Sequence, residues 1–302
     1  MRWFSEEELG QLRGFPEINR AELIRYFTLT AADEMFARKF RGPGNVLGAA
    51  VQLCTLPWLG FVPDEVPAAP PPAPPVAVER LAGSAVRDQT RTDHLREVAR
   101  YSRWPAMEEL EWKQLSEFVF SRAMEHDAPK LLFRLACEYL ISVRVIRPGV
   151  VNLLERVATA RDRARAETWA RVEHLLSRRH RAELDGLLAV DPQWGVTRLT
   201  WLGRGPTQAT PGAVKTELEK LAYLRGMEAH AMDLSGLPAE RRRFLAGIGR
   251  RSSAQALARR EEQRRYPILL TLVTQSAVEV LDESLQLFDQ PCPGGRPPPG
   301  RS

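Results

Sequence analysis

Apolar residues recur along this sequence at intervals of three and four positions, which leaves little choice of fold. A long helix is predicted from about 150 to 178, and others over 31–40 and from Thr210-Pro211. No segment alternates apolar and polar residues over the length of a strand between hairpin signals. The sequence therefore predicts an all-α protein. The most regular face, after Pro129, consists of Leu132, Leu135, Ala136, Tyr139, Leu140 and Val143.

Proline-rich segments and one break divide the chain. Seven prolines fall between residues 63 and 75, so the connection 63–78 is expected to be an extended, semi-rigid spacer. Arg147-Pro148-Gly149 interrupts the helical pattern and marks the first domain boundary. The predicted organisation is a helical domain at 1–147, a second one at 148–265, a helix at 266–290, and a disordered tail at 291–302.

Positive charge is concentrated between Arg241 and Tyr266. This stretch holds nine arginines and two glutamates, a net charge of +7, whereas the entire chain carries +5. Focused arginine is typical of a surface that binds phosphate groups. A solvated pair of arginine-rich surface helices is an equal alternative from this stretch alone.

The order of residues in the basic stretch indicates two short helices. Pro238 suits a first helical position. Gly247 and Gly249 are expected to break the first helix, after which Ser252 or Ser253 can cap a second one. A helix, a glycine-containing turn and a second helix form the outline of a helix-turn-helix-like DNA-reading unit.

A second basic helix is predicted within residues 87–104. Five arginines in it oppose three acidic residues. Arg96, Arg100 and Arg103 fall on one face at spacings of four and three, where they could follow a phosphate backbone. A charge-laced surface helix is the alternative interpretation.

No motif in the sequence indicates catalysis. The run Gly247–Ser252 only loosely resembles a dinucleotide loop, and no strand precedes it. The five histidines are scattered, and His174 and His180, six positions apart, fall on different helical faces. The carboxylates cannot be assembled into a two-metal nuclease site. We therefore expect no catalytic residue, no metal, no cofactor and no small-molecule substrate.

Composition favours a globular protein of a reducing cytoplasm with an anionic partner. Charged residues make up 27% and hydrophobic ones 44% of the chain, and the apolar runs are too short to span a bilayer. Three cysteines (Cys54, Cys137 and Cys292) lack metal-binding spacing, which fits a reducing compartment. A pI near 9.4 favours nucleic acid as the partner, with a membrane surface second.

Several blocks of the sequence together resemble a known family. FTLTAADEMFARKFRGPGNVLGAAVQLCTL, RDQTRTDHLREVARY and EHDAPKLLFRLACEYL are similar to the N-terminal domain of class II replicative transposases (the Tn-three family). RPGVVNLLERVATARDRA, LEKLAYLRGM, MDLSGLPAERRRFLAGIGRRSSAQALAR, RRYPILL and LQLFDQ follow in the family's order. The resemblance covers residues 23–290.

The resemblance implies a DNA-binding role without chemistry. In that family the N-terminal region binds the terminal inverted repeats of the transposon. The reaction belongs to an Asp-Asp-Glu domain of ribonuclease H type further towards the C-terminus. The proline-rich residues after Gln290 depart from the family pattern, so a transposase truncated before its catalytic domain is expected.

The expected partner is double-stranded DNA at transposon ends, which would associate the protein with the nucleoid. Arginines would mainly bind phosphates, while Gln89 and Gln255 are the better candidates for reading base edges. The first predicted set of contacts is Arg87, Gln89, Arg91, Thr92, His94, Arg96, Arg100 and Arg103. The second is Arg241, Arg242, Arg243, Arg250, Arg251, Ser252, Ser253, Gln255, Arg259 and Arg260.

Two further interpretations remain open. A helical protein–protein scaffold or regulator could present the same basic surface to an acidic partner. The apolar stripe of residues 267–288 could also self-associate, since it covers more of the helix than one core contact requires.

Overall fold

The computed structural model describes residues 3–63, 88–192, 195–206 and 210–289. Within these ranges the regular structure is helical, and the only β-type pairing is an isolated bridge between Val190 and Thr197. The predicted all-α class is confirmed. The predicted spacer from residue 64 onward and the predicted disordered tail lie outside the described residues. None of the described helices combines the length and apolar character needed to cross a membrane.

The described residues form two compact units. The residues up to Ala123, together with Asp127–Arg161, make up unit 1, and Met124–His126 with the residues from Asp162 onward make up unit 2. The division falls inside the helix Val150–Glu173, whereas the sequence suggests a boundary before it, at Arg147-Pro148-Gly149. Because this helix continues across the boundary between the two units, its apolar spacing is uninterrupted, and the sequence gives no sign of the boundary.

Unit 1 is built from helices that cap themselves locally. The side chains of Ser5, Asn19 and Thr30 each accept a hydrogen bond from the backbone N–H three residues on, and the carboxylate at that position accepts one from the N–H of the cap residue. The helices are α1 (Glu6–Gln11), α2 (Arg20–Tyr26), α3 (Ala31–Ala37), α4 (Pro43–Leu59), α5 (Asp88–Ser102), α6 (Glu109–Glu125), α7 (Pro129–Ser142) and the first part of α8 (Val150–Glu173).

The core of unit 1 that positions α5 is aromatic. Phe36, Phe40 and Trp104 are buried with aliphatic side chains of α4 and with Val98 of α5. Helix α4 ends at Gly60, whose φ of +73° favours glycine. A Cβ there would lie 3.0 Å from Ile141 Cγ1, so the close packing of α7 also requires glycine.

Unit 2 continues from the later part of α8 and is completed by shorter helices around one long one. Its core gathers buried leucines from most of these elements, including Leu184, Leu224, Leu245 and Leu269. The elements are α9 (Arg178–Gly186), α10 (Arg198–Leu202), α11 (Pro211–Gly226), a 3-10 helix (Glu228–Ala231), α12 (Ala239–Arg251), α13 (Ala254–Ala258) and α14 (Glu262–Asp289).

Helix α12 runs without interruption through the two glycines expected to break it, and that expectation is wrong. Gly249 is buried where α12 crosses α14. A Cβ on it would lie 3.1 Å from Leu272 Cδ2 and 3.4 Å from Ile268 Cγ2. The missing side chain therefore allows two helices to approach closely, and the turn follows three residues later, at Ser252 and Ser253.

Helix α14 begins at Glu262, before the start expected at residue 266, so Pro267 lies inside it. The apolar stripe expected to lack a packing partner has one, because Ile268, Leu269 and Val273 are buried in the core of unit 2. This corrects the sequence interpretation. The buried part of the stripe is not available for self-association, which stays a prediction for the later part of residues 267–288, where Leu285 is exposed.

Candidate nucleic-acid interface

Helix α5 carries a basic outer face over an apolar inner one. Val98 is fully buried, and Arg96, Arg100 and Arg103 are exposed, as their spacing predicts. Arg96 forms an ion pair with Asp93, with 3.1 Å between Nη1 and Oδ1. Arg100 and Arg103 have no ion-pair partner within the part of the chain that the structure describes. Among the described arginines of α5 and the residue that follows it, these two are the most available to an anion.

The remaining predicted contacts of α5 have different positions. Thr92 is exposed. His94 is half-buried, and its ring meets the ring of Phe40 edge-on with centroids 4.7 Å apart. His94 therefore packs in part against the core, and its role as a phosphate contact stays a prediction. Arg87 and the side chains of Gln89 and Arg91 lie outside the described residues.

Arg241 is a structural residue of unit 2. Only 2% of it is exposed, and its Nε donates a hydrogen bond to Thr168 Oγ1 at 3.0 Å. Its guanidinium also lies 5.8 Å from the centre of the Phe244 ring. This corrects the prediction that Arg241 contacts DNA. Arg242, its neighbour, is half-buried.

Several other arginines of the basic stretch are neutralised within unit 2. Arg243 pairs with Glu240 at 2.9 Å. Arg250 Nη2 lies 2.5 Å from Glu279 Oε1 and 3.3 Å from Gln275 Oε1. Arg265 pairs with Asp185 at 3.2 Å. The net charge of +7 counted over residues 241–266 is therefore larger than the charge that this stretch presents to a ligand.

The available groups cluster after the end of α12. Arg251, Ser253, Gln255 and Arg259 are exposed, while Ser252 and Arg260 are half-buried. Among the described residues, Arg251, Arg259 and Arg260 have no ion-pair partner. Ser253 caps α13 by accepting a hydrogen bond from the N–H of Ala256 at 3.2 Å. One helix end, a two-residue turn and a short second helix therefore hold these side chains within a few residues of one another.

Arg264 belongs with this group, although the sequence does not single it out. It is exposed in the first turn of α14 and, within the described ranges, has no acidic partner. Its neighbour Arg265 is engaged with Asp185. No sequence signal separates the two, because their difference depends on which side of α14 faces α9.

The chemistry of this arrangement suits recognition of DNA. Guanidinium groups form charge-assisted, bidentate hydrogen bonds with phosphate oxygens. A glutamine amide can both donate and accept, which allows it to pair with N6 and N7 of adenine. Gln255 is the second residue of α13, and residues near the start of a recognition helix are those that reach base edges in helix-turn-helix proteins.

Groups associated with metal or thiol chemistry are not assembled in the described part of the chain. No cluster of three or more His, Cys, Asp or Glu side chains there could hold a metal ion. Burial raises the pKa of the Cys54 thiol to about 12 and also raises the pKa of Cys137. Both thiols therefore stay protonated at neutral pH and are poor nucleophiles.

Comparisons with known proteins agree with the sequence resemblance. A family model described as a domain of unknown function (DUF4158) matches residues 4–160. The chain is 30% identical over 283 residues to the transposase for transposon gamma-delta of Escherichia coli (strain K12), covering 90% of this chain and 28% of that protein. It is 29% identical to the transposase for transposon Tn501 of Pseudomonas aeruginosa, covering 95% of this chain and 30% of that protein.

A third relative is the transposase for transposon Tn21 of Escherichia coli, which is 30% identical over 294 residues. That alignment covers 95% of this chain and 30% of the relative. The chain thus spans about three tenths of the length of the curated relatives it matches. With the family model over more than half of its residues and these relatives over nearly all of it, the chain belongs to the Tn-three family of transposases and corresponds to their N-terminal region.

Proposed function

We propose that this chain acts in DNA transposition by binding double-stranded DNA at the terminal inverted repeats of a transposon. The proposal includes no catalytic step, and it places the protein on DNA in the bacterial cytoplasm. The observation that carries it is the group of Arg251, Gln255 and Arg259, exposed around one turn and free of acidic partners in the described ranges. Family membership supports the role in transposition.

The chemistry of each side chain determines whether it would contact a phosphate or a base. Arg251, Arg259 and Arg264 would hold phosphates, which sets the position of the protein without reading sequence. Gln255 would supply the base contact. Arg100 and Arg103 of unit 1 would add phosphate contacts of the same kind.

The test is a competition between two labelled duplexes of equal length, one with the terminal repeat and one with the repeat scrambled. We expect preference for the repeat, and weaker binding of both duplexes by Arg259→Ala. Arg243→Ala is the matched control, because Arg243 is exposed but already paired with Glu240. Equal binding of the two duplexes would favour a regulator or scaffold with an acidic protein partner.

A narrower prediction concerns Gln255. Gln255→Ala should reduce the discrimination between repeat and scrambled duplex by about 1–3 kcal/mol if the amide reads a base bidentately, and change scrambled-duplex affinity little. Binding titrations of both duplexes measure this. An equal loss for the two would remove Gln255 from the base-reading role.

A further inference from the structure

Unit 1 contains a cleft of about 700 Å³ that the proposed duplex contacts do not use. This volume is in the range typical of small-molecule sites. Its wall combines aromatic rings with cations. Tyr26, Tyr101 and Trp104 supply the rings, and Arg25 and Arg144 the positive charge. Asp33 is the only carboxylate among the lining residues, and it accepts hydrogen bonds from Thr30 and Tyr101.

Tyr101 is held as a rigid platform on this wall. Its ring stacks on Phe36 with centroids 4.0 Å apart and planes 9° from parallel. Its hydroxyl donates to Asp33 Oδ1 at 3.0 Å. Even so, 39% of Tyr101 is exposed. Because Phe36 occupies one face of the ring, a planar ligand would stack on the opposite face.

Two arginines beside the cleft adopt a backbone conformation that favours glycine. Arg103 has a φ of 58° and Arg144 a φ of 57°, and they are the only described non-glycine residues with positive φ. Each follows a helix end closed by a hydrogen bond across six residues, from the N–H of Trp104 to the carbonyl of Ala99 and from that of Val145 to that of Leu140. Glycine usually occupies the left-handed position of this motif, because a Cβ is strained there.

An arginine stands at both positions although glycine would be less strained, which suggests that the side chains have a use. Arg144 lines the cleft, and Arg103 lies between the lining residues Ser102 and Trp104. A cation after a helix C-terminus also complements the helix dipole, which is the competing explanation. That explanation does not account for the fixed, half-exposed aromatic platform between the two helix ends.

We propose that this cleft binds an unpaired nucleotide, with the base on the free face of Tyr101 and the phosphate on Arg144. Aromatic platforms beside a cationic groove are the usual means of holding single-stranded nucleic acid. The inference rests on the proposed function in that DNA is the context in which such a nucleotide would be met. A free mononucleotide has the same chemistry and is separated by the test.

The test measures fluorescence anisotropy of a labelled oligonucleotide of eight thymidines at low salt, with AMP as competitor. We expect binding that Tyr101→Leu weakens about five- to 150-fold, the range for loss of one base stack. Tyr101→Phe should retain most of the affinity because it keeps the ring. Displacement by AMP at concentrations near those of the oligonucleotide would assign the site to a free nucleotide, and displacement only at large excess to a DNA strand.

Arg144→Gly separates the two explanations for the arginine without risking the fold. Glycine relieves the backbone strain, so the unfolding temperature should stay the same or rise, while the affinity for the oligonucleotide falls severalfold. Arg243→Ala, in unit 2, should leave that affinity unchanged. Absence of oligonucleotide binding, or equal binding by wild type, Tyr101→Leu and Arg144→Gly, would overturn the proposal. If the protein shows no preference for the terminal repeat but still binds the oligonucleotide in a Tyr101-dependent way, the result contradicts the proposed function and leaves the nucleotide site standing.

Discussion

Arg241 and Arg259 carry the same side chain in the same basic stretch, yet the fold gives them opposite surroundings. Arg241 is buried and bonded to Thr168, whereas Arg259 is exposed. A buried guanidinium that loses its partner is costly, and so is the cavity left when the guanidinium is removed. An exposed arginine without a partner contributes little to stability.

We therefore expect Arg241→Ala to lower the free energy of unfolding by about 2 kcal/mol or more, and Arg259→Ala to change it by less than about 0.5 kcal/mol. Their effects on DNA should be the reverse, with weaker duplex binding for Arg259→Ala only. Thermal unfolding and duplex titration of the folded protein measure both. If Arg241→Ala stays as stable as wild type but binds DNA poorly, our assignment of the two residues is inverted.

The sequence predicts the basic stretch but not which of its arginines are available. Arg250 is paired with Glu279, and Arg265 is paired with Asp185. Asp185 also accepts a hydrogen bond from Tyr266, which is 81 positions away in the sequence. Such partners are brought together only by the packing of α9, α12 and α14. A net charge counted over one stretch of sequence leaves out acidic partners that lie far away in the chain. The exposed arginines of α5 were predictable because one short helix determines that face.

At the scale of elements, the two glycines of α12 differ although they are two residues apart. A Cβ at Gly249 would be pressed against Leu272 of α14, whereas one at Gly247 would meet only the Arg251 guanidinium at 3.5 Å. The first contact is with a packed core residue and the second with a flexible side chain. Both positions have ordinary helical geometry.

Gly249→Ala should destabilise unit 2 by about 1–3 kcal/mol, since the extra methyl group forces the helices apart. Gly247→Ala should stabilise α12 by up to about 1 kcal/mol, since alanine is the better helix former. Denaturant unfolding of the two variants provides the comparison. Similar destabilisation by both would mean that the glycines serve α12 itself, not its crossing with α14.

The helices were predictable from their apolar spacing, while their ends and contacts were less so. Glycine within a helical pattern indicates a break as readily as a close crossing, and the sequence alone does not decide between them. Pro267 has a similar ambiguity, because proline is tolerated at a helix start and also, with a lost hydrogen bond, inside a helix. In α14 the packing of Ile268, Leu269 and Leu270 in the core of unit 2 compensates for that loss.

For the whole molecule, the salt dependence of DNA binding reports how many arginines reach phosphates. Apart from Arg242, whose charge acts on Asp233, six arginines of the two basic segments have no ion-pair partner among the described residues: Arg100, Arg103, Arg251, Arg259, Arg260 and Arg264. If each neutralises one phosphate, log K should fall with log salt at a slope of about −5. Engagement of all nine arginines of the basic stretch would by itself give about −8. A flat response would contradict DNA binding altogether.

We also expect that the purified chain neither cleaves nor joins DNA in the presence of magnesium or manganese, because its sequence offers no convergent set of carboxylates for such chemistry. The measurement is nicking of supercoiled plasmid and strand transfer from a terminal-repeat duplex. Metal-dependent nicking that is lost on changing a carboxylate of this chain would contradict the expectation. Nicking that survives every such change would indicate a contaminating nuclease.

The internal pairing of Arg243, Arg250 and Arg265 has a consequence for how quickly a target is found. A protein whose arginines were all unpaired would be held for long periods on any stretch of chromosome, because nonspecific binding is almost entirely electrostatic. For a chain that binds DNA as proposed, pairing part of the charge with Glu240, Glu279 and Asp185 would shorten each such encounter. More sites can then be sampled per second, and the time spent at a matching sequence stands out more clearly from the time lost elsewhere.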